Sequence, residues 1–152
     1  MNEQRYLADE AATLAFGAEV AAWLREPRNC CSVVFLKGQL GAGKTTLVRG
    51  ILRAFGYQAA VKSPTYTLLE PYEELEPAVY HFDFYRVGDS EELDFIGLDE
   101  LLDAEALKFI EWPEQAAGRL PVPDLEITLT LDGAGRQITL TQPGVVGSAC
   151  GG

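Results

Sequence analysis

The chain has 152 residues, 47% of them apolar and 23% charged, with a net charge of −11 and a pI near 4.4. Those figures fit one domain with a substantial core, and no apolar run approaches the roughly 18 residues that a membrane span needs. So acidic a chain is poorly suited to gripping a nucleic-acid backbone by itself, and any nucleic acid is expected to be held by a partner.

The opening segment, MNEQRYLADE, lacks the basic-then-apolar pattern of a secretory signal, so a cytoplasmic address is expected. Asp9 is placed to cap a helix running to about Arg25, with Leu14, Ala18, Ala21 and Ala22 at helical spacing and Pro27 and Asn29 ending it. Cys30, Cys31 and Cys150 are odd in number and two are adjacent, which suggests neither a disulfide framework nor a zinc site. Val33 to Leu36 reads as a strand leading into a glycine-rich run, and the helix that follows, Thr45 to about Phe55, stops at Gly56. Thr65–Leu69 and Val79–Tyr85 read as strands joined by a Pro71–Pro77 connection. Ser90 starts an acidic, mostly helical stretch to about Leu102, interrupted at Gly97. Leu107–Glu111 reads as a short buried strand closed by Trp112-Pro113. Leu125–Leu131 and Gln137–Leu140 alternate apolar and polar around Asp132-Gly133-Ala134-Gly135, a hairpin signal. Residues 143–152 read as a flexible small-residue tail.

The run Gly38-Gln39-Leu40-Gly41-Ala42-Gly43-Lys44-Thr45 fits G-x-x-x-x-G-K-[ST] in the strand–loop–helix setting that motif requires. The glycines let the backbone turn its N–H groups inward around phosphate, and the following helix adds the positive end of its dipole. Lys44 is placed to reach the β- and γ-phosphates, and the Thr45 hydroxyl to ligate Mg²⁺. The expected nucleotide-binding set is therefore Gly38, Gln39, Leu40, Gly41, Ala42, Gly43, Lys44, Thr45 and the adjoining Thr46. The whole pattern predicts a single-domain α/β P-loop NTPase over residues 1–142, with a largely parallel sheet flanked by helices and a C-terminal β-hairpin.

Mg²⁺ also needs a carboxylate at the carboxyl end of a neighbouring strand, directly or through water. Glu111 and Asp83 both stand at such ends, and spacing leaves open which one meets the metal. Lys62-Ser63-Pro64-Thr65-Tyr66-Thr67 looks like a switch segment, its hydroxyls at Ser63 and Thr65 able to sense the γ-phosphate or its metal. His81, the only histidine, reads as a structural residue among aromatics. Trp112, beside Glu111, is placed to act as a nucleotide-sensitive fluorophore.

Six stretches in order, DEAATL, GQLGAGKTTLVRG, VKSPTYTL, YHFDFYR, EELDFIGLDE and IEWPE, make the chain resemble the bacterial TsaE family from about Asp9 to Arg136. The resemblance implies a Mg²⁺-dependent ATPase of tRNA threonylcarbamoyladenosine synthesis that works with a TsaB–TsaD pair, with tRNA contacted only through the complex. It implies that Thr45 and Glu111 hold Mg²⁺ and that Asp83 supports hydrolysis beside Lys44. It also implies nucleotide contacts outside the loop at Glu10 and Arg136. Gln39 departs from the family's usual Asp, and its side chain is expected to point away from the phosphates.

Two other functions compete. A GTPase is disfavoured because neither Asn2 nor Asn29 precedes a lysine, as an N-K-x-D guanine motif requires. A small-molecule kinase normally needs several arginines around the transferred phosphoryl. Beyond the loop helix only Arg86, Arg119 and Arg136 remain, and Arg86 is expected to be drawn into a salt bridge near Asp83.

Overall fold

In the computed structural model, which describes residues 2–143, the chain opens with a strand, β1 (Glu3–Leu7), that the sequence pattern does not announce. Only Leu7 of it is buried, so its alternation carries almost no apolar signal. Asp9 then accepts the backbone N–H of Ala12 at 2.8 Å and starts helix α1 (Glu10–Leu24). Strand β2 (Val33–Lys37) runs into the glycine loop, and α2 (Lys44–Ala54) leaves it. Further along come β3 (Leu69–Tyr72), β4 (Val79–Asp83), α3 (Glu91–Phe95), α4 (Leu98–Asp103), β5 (Leu107–Glu111), β6 (Leu125–Asp132) and β7 (Gly135–Thr141).

The seven strands form one mixed sheet in the order β1-β7-β6-β2-β5-β4-β3. Its four central strands, β6, β2, β5 and β4, are parallel, while β3, β7 and β1 add antiparallel edges. The expected α/β class with a largely parallel sheet and a C-terminal hairpin therefore holds, the edges being the antiparallel part. Alternate residues of the central strands serve opposite faces. Val34, Leu36 and Phe109 meet Phe16, Val20, Leu47 and Ile51 from α1 and α2, while Val33 and Ile110 join Phe82, Phe84, Leu93 and Leu98 on the other side. On β6 the second face carries Glu126, Thr128 and Thr130, so that end of the sheet is covered on one side only. Helices α1 and α2 approach so closely that glycine faces glycine: a Cβ on Gly17 would lie 2.9 Å from backbone atoms of Gly50, and one on Gly50 would lie 2.5 Å from the Leu14 carbonyl oxygen.

One local expectation is corrected. The segment read as a strand from Thr65 to Leu69 is a turn through Leu68, closed by the Leu68 N–H donating to Pro64 O at 2.8 Å and leaving Leu68 at φ 67°. The strand starts only at Leu69 and includes Pro71, which its position on the sheet edge tolerates. Cys31 is a free, half-buried thiol that burial pushes up to about 12. The expected tail from Gly144 onward lies outside the described residues.

Candidate nucleotide and metal site

The parallel centre of the sheet brings the ends of β2, β4 and β5 to one edge, and the glycine loop turns there. Gly43, at φ 105°, is the N-cap of α2 and offers no side-chain acceptor, so the first N–H groups of that helix are left facing the loop. Gly38, at φ 150°, lets the chain pass the neighbouring strand, where a Cβ would lie 2.5 Å from Leu129 O. Such an open, uncapped helix start under a glycine turn is a ready anion site.

A cleft of about 310 Å³ opens above it. Leu40, Gly41, Gly43, Lys44, Thr45 and Thr46 line it from the loop side, Ser63, Thr65, Asp83 and Glu111 from the sheet side, and Glu10 and Arg136 from α1 and β7. Nearly the whole expected set is thus brought together. Gly38, Gln39 and Ala42 do not line the cleft; their carbonyls work inside the loop instead. Gly38 O accepts from Lys44 Nζ, Gln39 O accepts from the Ala42 N–H at 3.1 Å, and Ala42 O accepts from Arg136 Nε at 2.9 Å.

Lys44 is buried, at 5% exposure, and its ammonium sits 4.2 Å from the centroid of the Trp112 ring. Burial lowers its pKa, while Glu111, Asp83 and Glu114 oppose that by holding the charge. Trp112 reaches over Lys44 because its backbone is left-handed, φ 56° and ψ 51°, and its ring packs 4.9 Å from that of Tyr85. This stacking on the phosphate-loop lysine is a contact that its place beside Glu111 did not disclose.

Asp83 and Glu111 are register partners on parallel strands, so their side chains leave the same face side by side. Asp83 Oδ2 accepts from Thr65 Oγ1 at 3.1 Å and Oδ1 from the Tyr85 N–H at 2.9 Å. Ser63 Oγ lies 2.8 Å from Thr65 Oγ1, so the two switch hydroxyls and Asp83 form one chain. Burial raises the Asp83 pKa above the usual carboxylate range, and Glu111 adds to the rise against those hydrogen bonds. Glu111 has a different support: its Oε2 lies 2.6 Å from His81 Nε2, and both side chains are buried.

A hydroxyl and two carboxylates on one cleft are hard oxygen donors of the kind Mg²⁺ takes. Among the described residues no group of three or more His, Cys, Asp or Glu converges to hold a metal unaided. Mg²⁺ fits that set, since it is ordinarily bound by one or two carboxylates completed by phosphates and water.

The remaining expected residues are committed to protein partners. Arg136 donates from Nη2 to Gly41 O at 3.2 Å as well as to Ala42, which braces the loop from the last hairpin. Glu10 pairs with Arg49 at 3.2 Å on the exposed rim. Arg86, expected in a salt bridge, instead donates to the Tyr66 hydroxyl at 3.0 Å and stacks on that ring at 4.2 Å. The cleft is also lined by Asp9, Thr13, Ala134 and Gly135, which sequence reading did not assign to the site. The one available signal was Thr13, a polar residue on the buried face of α1, its hydroxyl donating to Asp9 O at 3.3 Å.

A strand, an uncapped glycine loop, a helix carrying Lys-Thr at its start and two acidic strand ends define a P-loop protein. Comparison with known proteins narrows the class. The model of the family "Threonylcarbamoyl adenosine biosynthesis protein TsaE" matches residues 7–138. A tRNA threonylcarbamoyladenosine biosynthesis protein TsaE from Haemophilus influenzae is 42% identical over 137 residues, covering 90% of this chain and 87% of that one. The protein of the same name from Rickettsia bellii is 39% identical over 132 residues, 86% of this chain and 88% of its own. The crystal structure of Bacillus subtilis YdiB superposes with a TM-score of 0.75 at 28% identity, covering 95% of this chain and 88% of that one. The chain belongs to the TsaE family, a family of tRNA threonylcarbamoyladenosine biosynthesis.

Proposed function

We propose that the chain is a Mg²⁺-dependent ATPase that acts in the cytoplasm, with a TsaB–TsaD-type pair, in threonylcarbamoylation of the tRNA adenosine beside the anticodon. The observation that carries this reading is the convergence of Lys44, Thr45, Asp83 and Glu111 on one cleft at the open start of α2. Lys44 trades its bond to the Gly38 carbonyl for phosphate oxygens. The loop N–H groups and the α2 terminus receive the remaining phosphate charge. Thr45 and Glu111 would hold Mg²⁺, which supplies charge neutralisation at the β- and γ-phosphates. Asp83, fixed at both oxygens, is placed to accept a hydrogen bond from a water in the cleft. Ser63 and Thr65, tied to Asp83, couple its position to the switch segment.

Arginine supply supports dependence on a partner. Among the described residues, Arg136 alone of the arginines lines the cleft, and its guanidinium already bonds loop carbonyls. A cation brought in trans can raise phosphoryl transfer by about 10³–10⁵-fold, so hydrolysis by the isolated chain is slow and a docked pair accelerates it. The acidic surface matches a role in which tRNA is held by the pair.

The test is an ADP titration with and without Mg²⁺, together with phosphate release with and without the pair. Thr45→Ala and Glu111→Ala should weaken the Mg²⁺-dependent part, whereas Lys44→Ala should weaken nucleotide binding itself. If Glu111→Ala kept normal hydrolysis, the metal carboxylate would be Asp83. Fast hydrolysis by the isolated chain, unaffected by the pair, would favour an autonomous NTPase or a small-molecule kinase.

A further inference from the structure

His81 is the histidine that packing alone does not explain. It lies on β4 two residues before Asp83, so both side chains leave the same face of the sheet, and its register partner on β5 is Phe109. Glu111, two residues beyond Phe109, is its diagonal neighbour, and the two side chains meet at 2.6 Å. A carboxylate only accepts, so Nε2 is the ring nitrogen that carries the hydrogen. The other ring nitrogen, Nδ1, is buried with no hydrogen-bond partner among the described residues. A leucine or phenylalanine would fill the same fully buried position without stranding a polar atom. Asp83 takes its support from the Thr65 hydroxyl and the Tyr85 N–H, whereas among the described residues the hydrogen-bond partner of the Glu111 side chain is His81.

We infer that His81 is the positioning residue for Glu111, holding Oε2 so that the other oxygen of the carboxylate is presented to the cleft cation. The inference rests on the reading of Glu111 as a metal carboxylate. Partners of this kind fix the orientation of a ligand and restrict it to one rotamer, and losing them weakens metal binding about 10–100-fold. His81 touches neither nucleotide nor metal in this scheme; it acts through Glu111.

The experiment compares His81→Leu, His81→Gln, Glu111→Gln and the double variant His81→Leu/Glu111→Gln. Calorimetry measures Mg²⁺ binding to the ADP-loaded protein and ADP binding in EDTA, and circular dichroism follows the fold. With His81→Leu, the half-saturating Mg²⁺ concentration should rise about 10–100-fold while ADP binding in EDTA is unchanged. The glutamine amide reaches the place of Nε2, so His81→Gln should recover most of the loss. The double variant should be no worse than Glu111→Gln, because His81 has nothing left to position. Unchanged Mg²⁺ binding in His81→Leu, or additive losses in the double variant, overturns the assignment. Unchanged Mg²⁺ binding in Glu111→Gln overturns the metal reading itself, whatever His81 does. If His81→Leu does not fold, His81→Asn takes its place, its amide being too short to reach Glu111. A raised Mg²⁺ requirement in Asn but not Gln then supports the assignment, and equal behaviour overturns it.

Discussion

Gly50→Ala should destabilise the protein although it improves the local helix. In isolation the change favours α2 by about 1 kcal/mol, because glycine is the poorer helix former. In the fold, the new Cβ would lie 2.5 Å from Leu14 O and 3.0 Å from Leu14 Cα, both backbone atoms that no rotamer change can move. The helices must part, and overfilling a packed contact typically costs about 1–3 kcal/mol. Parting also loosens Leu47, Val48 and Ile51, which α2 buries against the sheet. With that loosening the upper half of the range applies, about 2–3 kcal/mol, and less the roughly 1 kcal/mol of helix propensity the net loss is about 1–2 kcal/mol, a fall in Tm of roughly 3–8 °C for a chain of this size. Thermal and urea unfolding of the nucleotide-free protein measure it, with Ala54→Gly, on the exposed end of the same helix, as the propensity control. Gly17→Ala meets the same seam from the other side, so the double variant should lose less than the sum of the singles. A Gly50→Ala protein as stable as the parent would refute the close-contact account. Since α2 begins at Lys44 and Thr45, its tilt should also weaken ADP binding.

Burial raises the folded pKa of Asp83, so the stability this group contributes is full below its ordinary pKa of about 3.9 and lost as pH rises through the raised folded value. Asp83→Asn in EDTA should therefore gain stability relative to the parent at neutral pH and little at about pH 4, even as hydrolysis is lost; equal differences at both pH values would contradict this. Arg136→Ala removes two charged hydrogen bonds to loop carbonyls, at 2.9 and 3.2 Å, and should weaken ADP binding roughly tenfold with little change in Mg²⁺ requirement, as read by calorimetry. Tyr66→Ala should leave the slow hydrolysis of the isolated chain intact while reducing stimulation by the pair, because Tyr66 is 79% exposed on the switch turn; full stimulation would remove it from the docking face.

Much of the fold was legible because the central strands carry it in their composition. Val33–Lys37 and Leu107–Glu111 are buried on both faces, so they read as short continuous apolar runs. β1 was not legible, since a strand held by backbone pairing to β7 needs no apolar pattern of its own. Thr65 to Leu68 misled for the opposite reason: Thr and Tyr favour strands locally, but Asp83 draws the Thr65 hydroxyl into a turn. The loop and its acids were readable because each follows a strand, and parallel strands deliver their ends to one edge. The approach of Gly17 to Gly50 was not, for a glycine inside a helix looks the same whether it admits a neighbouring backbone or merely weakens the helix. His81 and Trp112 show the same limit. Sequence places them beside site residues, but only the register of β4 on β5 shows that one meets Glu111, and only the left-handed backbone at Trp112 shows that the other covers Lys44.

Beyond Lys44, the chain's cations near the site are occupied by the chain itself. Arg136 braces the phosphate loop, Arg49 pairs with Glu10, and Arg86 lies on Tyr66. The buried floor of the cleft thus opposes two carboxylates, Asp83 and Glu111, to one ammonium, Lys44, an arrangement suited to holding a metal–nucleotide complex rather than to stabilising charge that develops during transfer. Breaking one of those pairs to free an arginine would leave a loop, a helix start or a switch turn unsupported. A cation supplied from outside incurs none of those losses. It would approach across Leu40 and Tyr66, the apolar side chains that the loop and switch turn leave exposed. On the proposed function, the same geometry would make the isolated chain slow and so give a partner control over when it turns over.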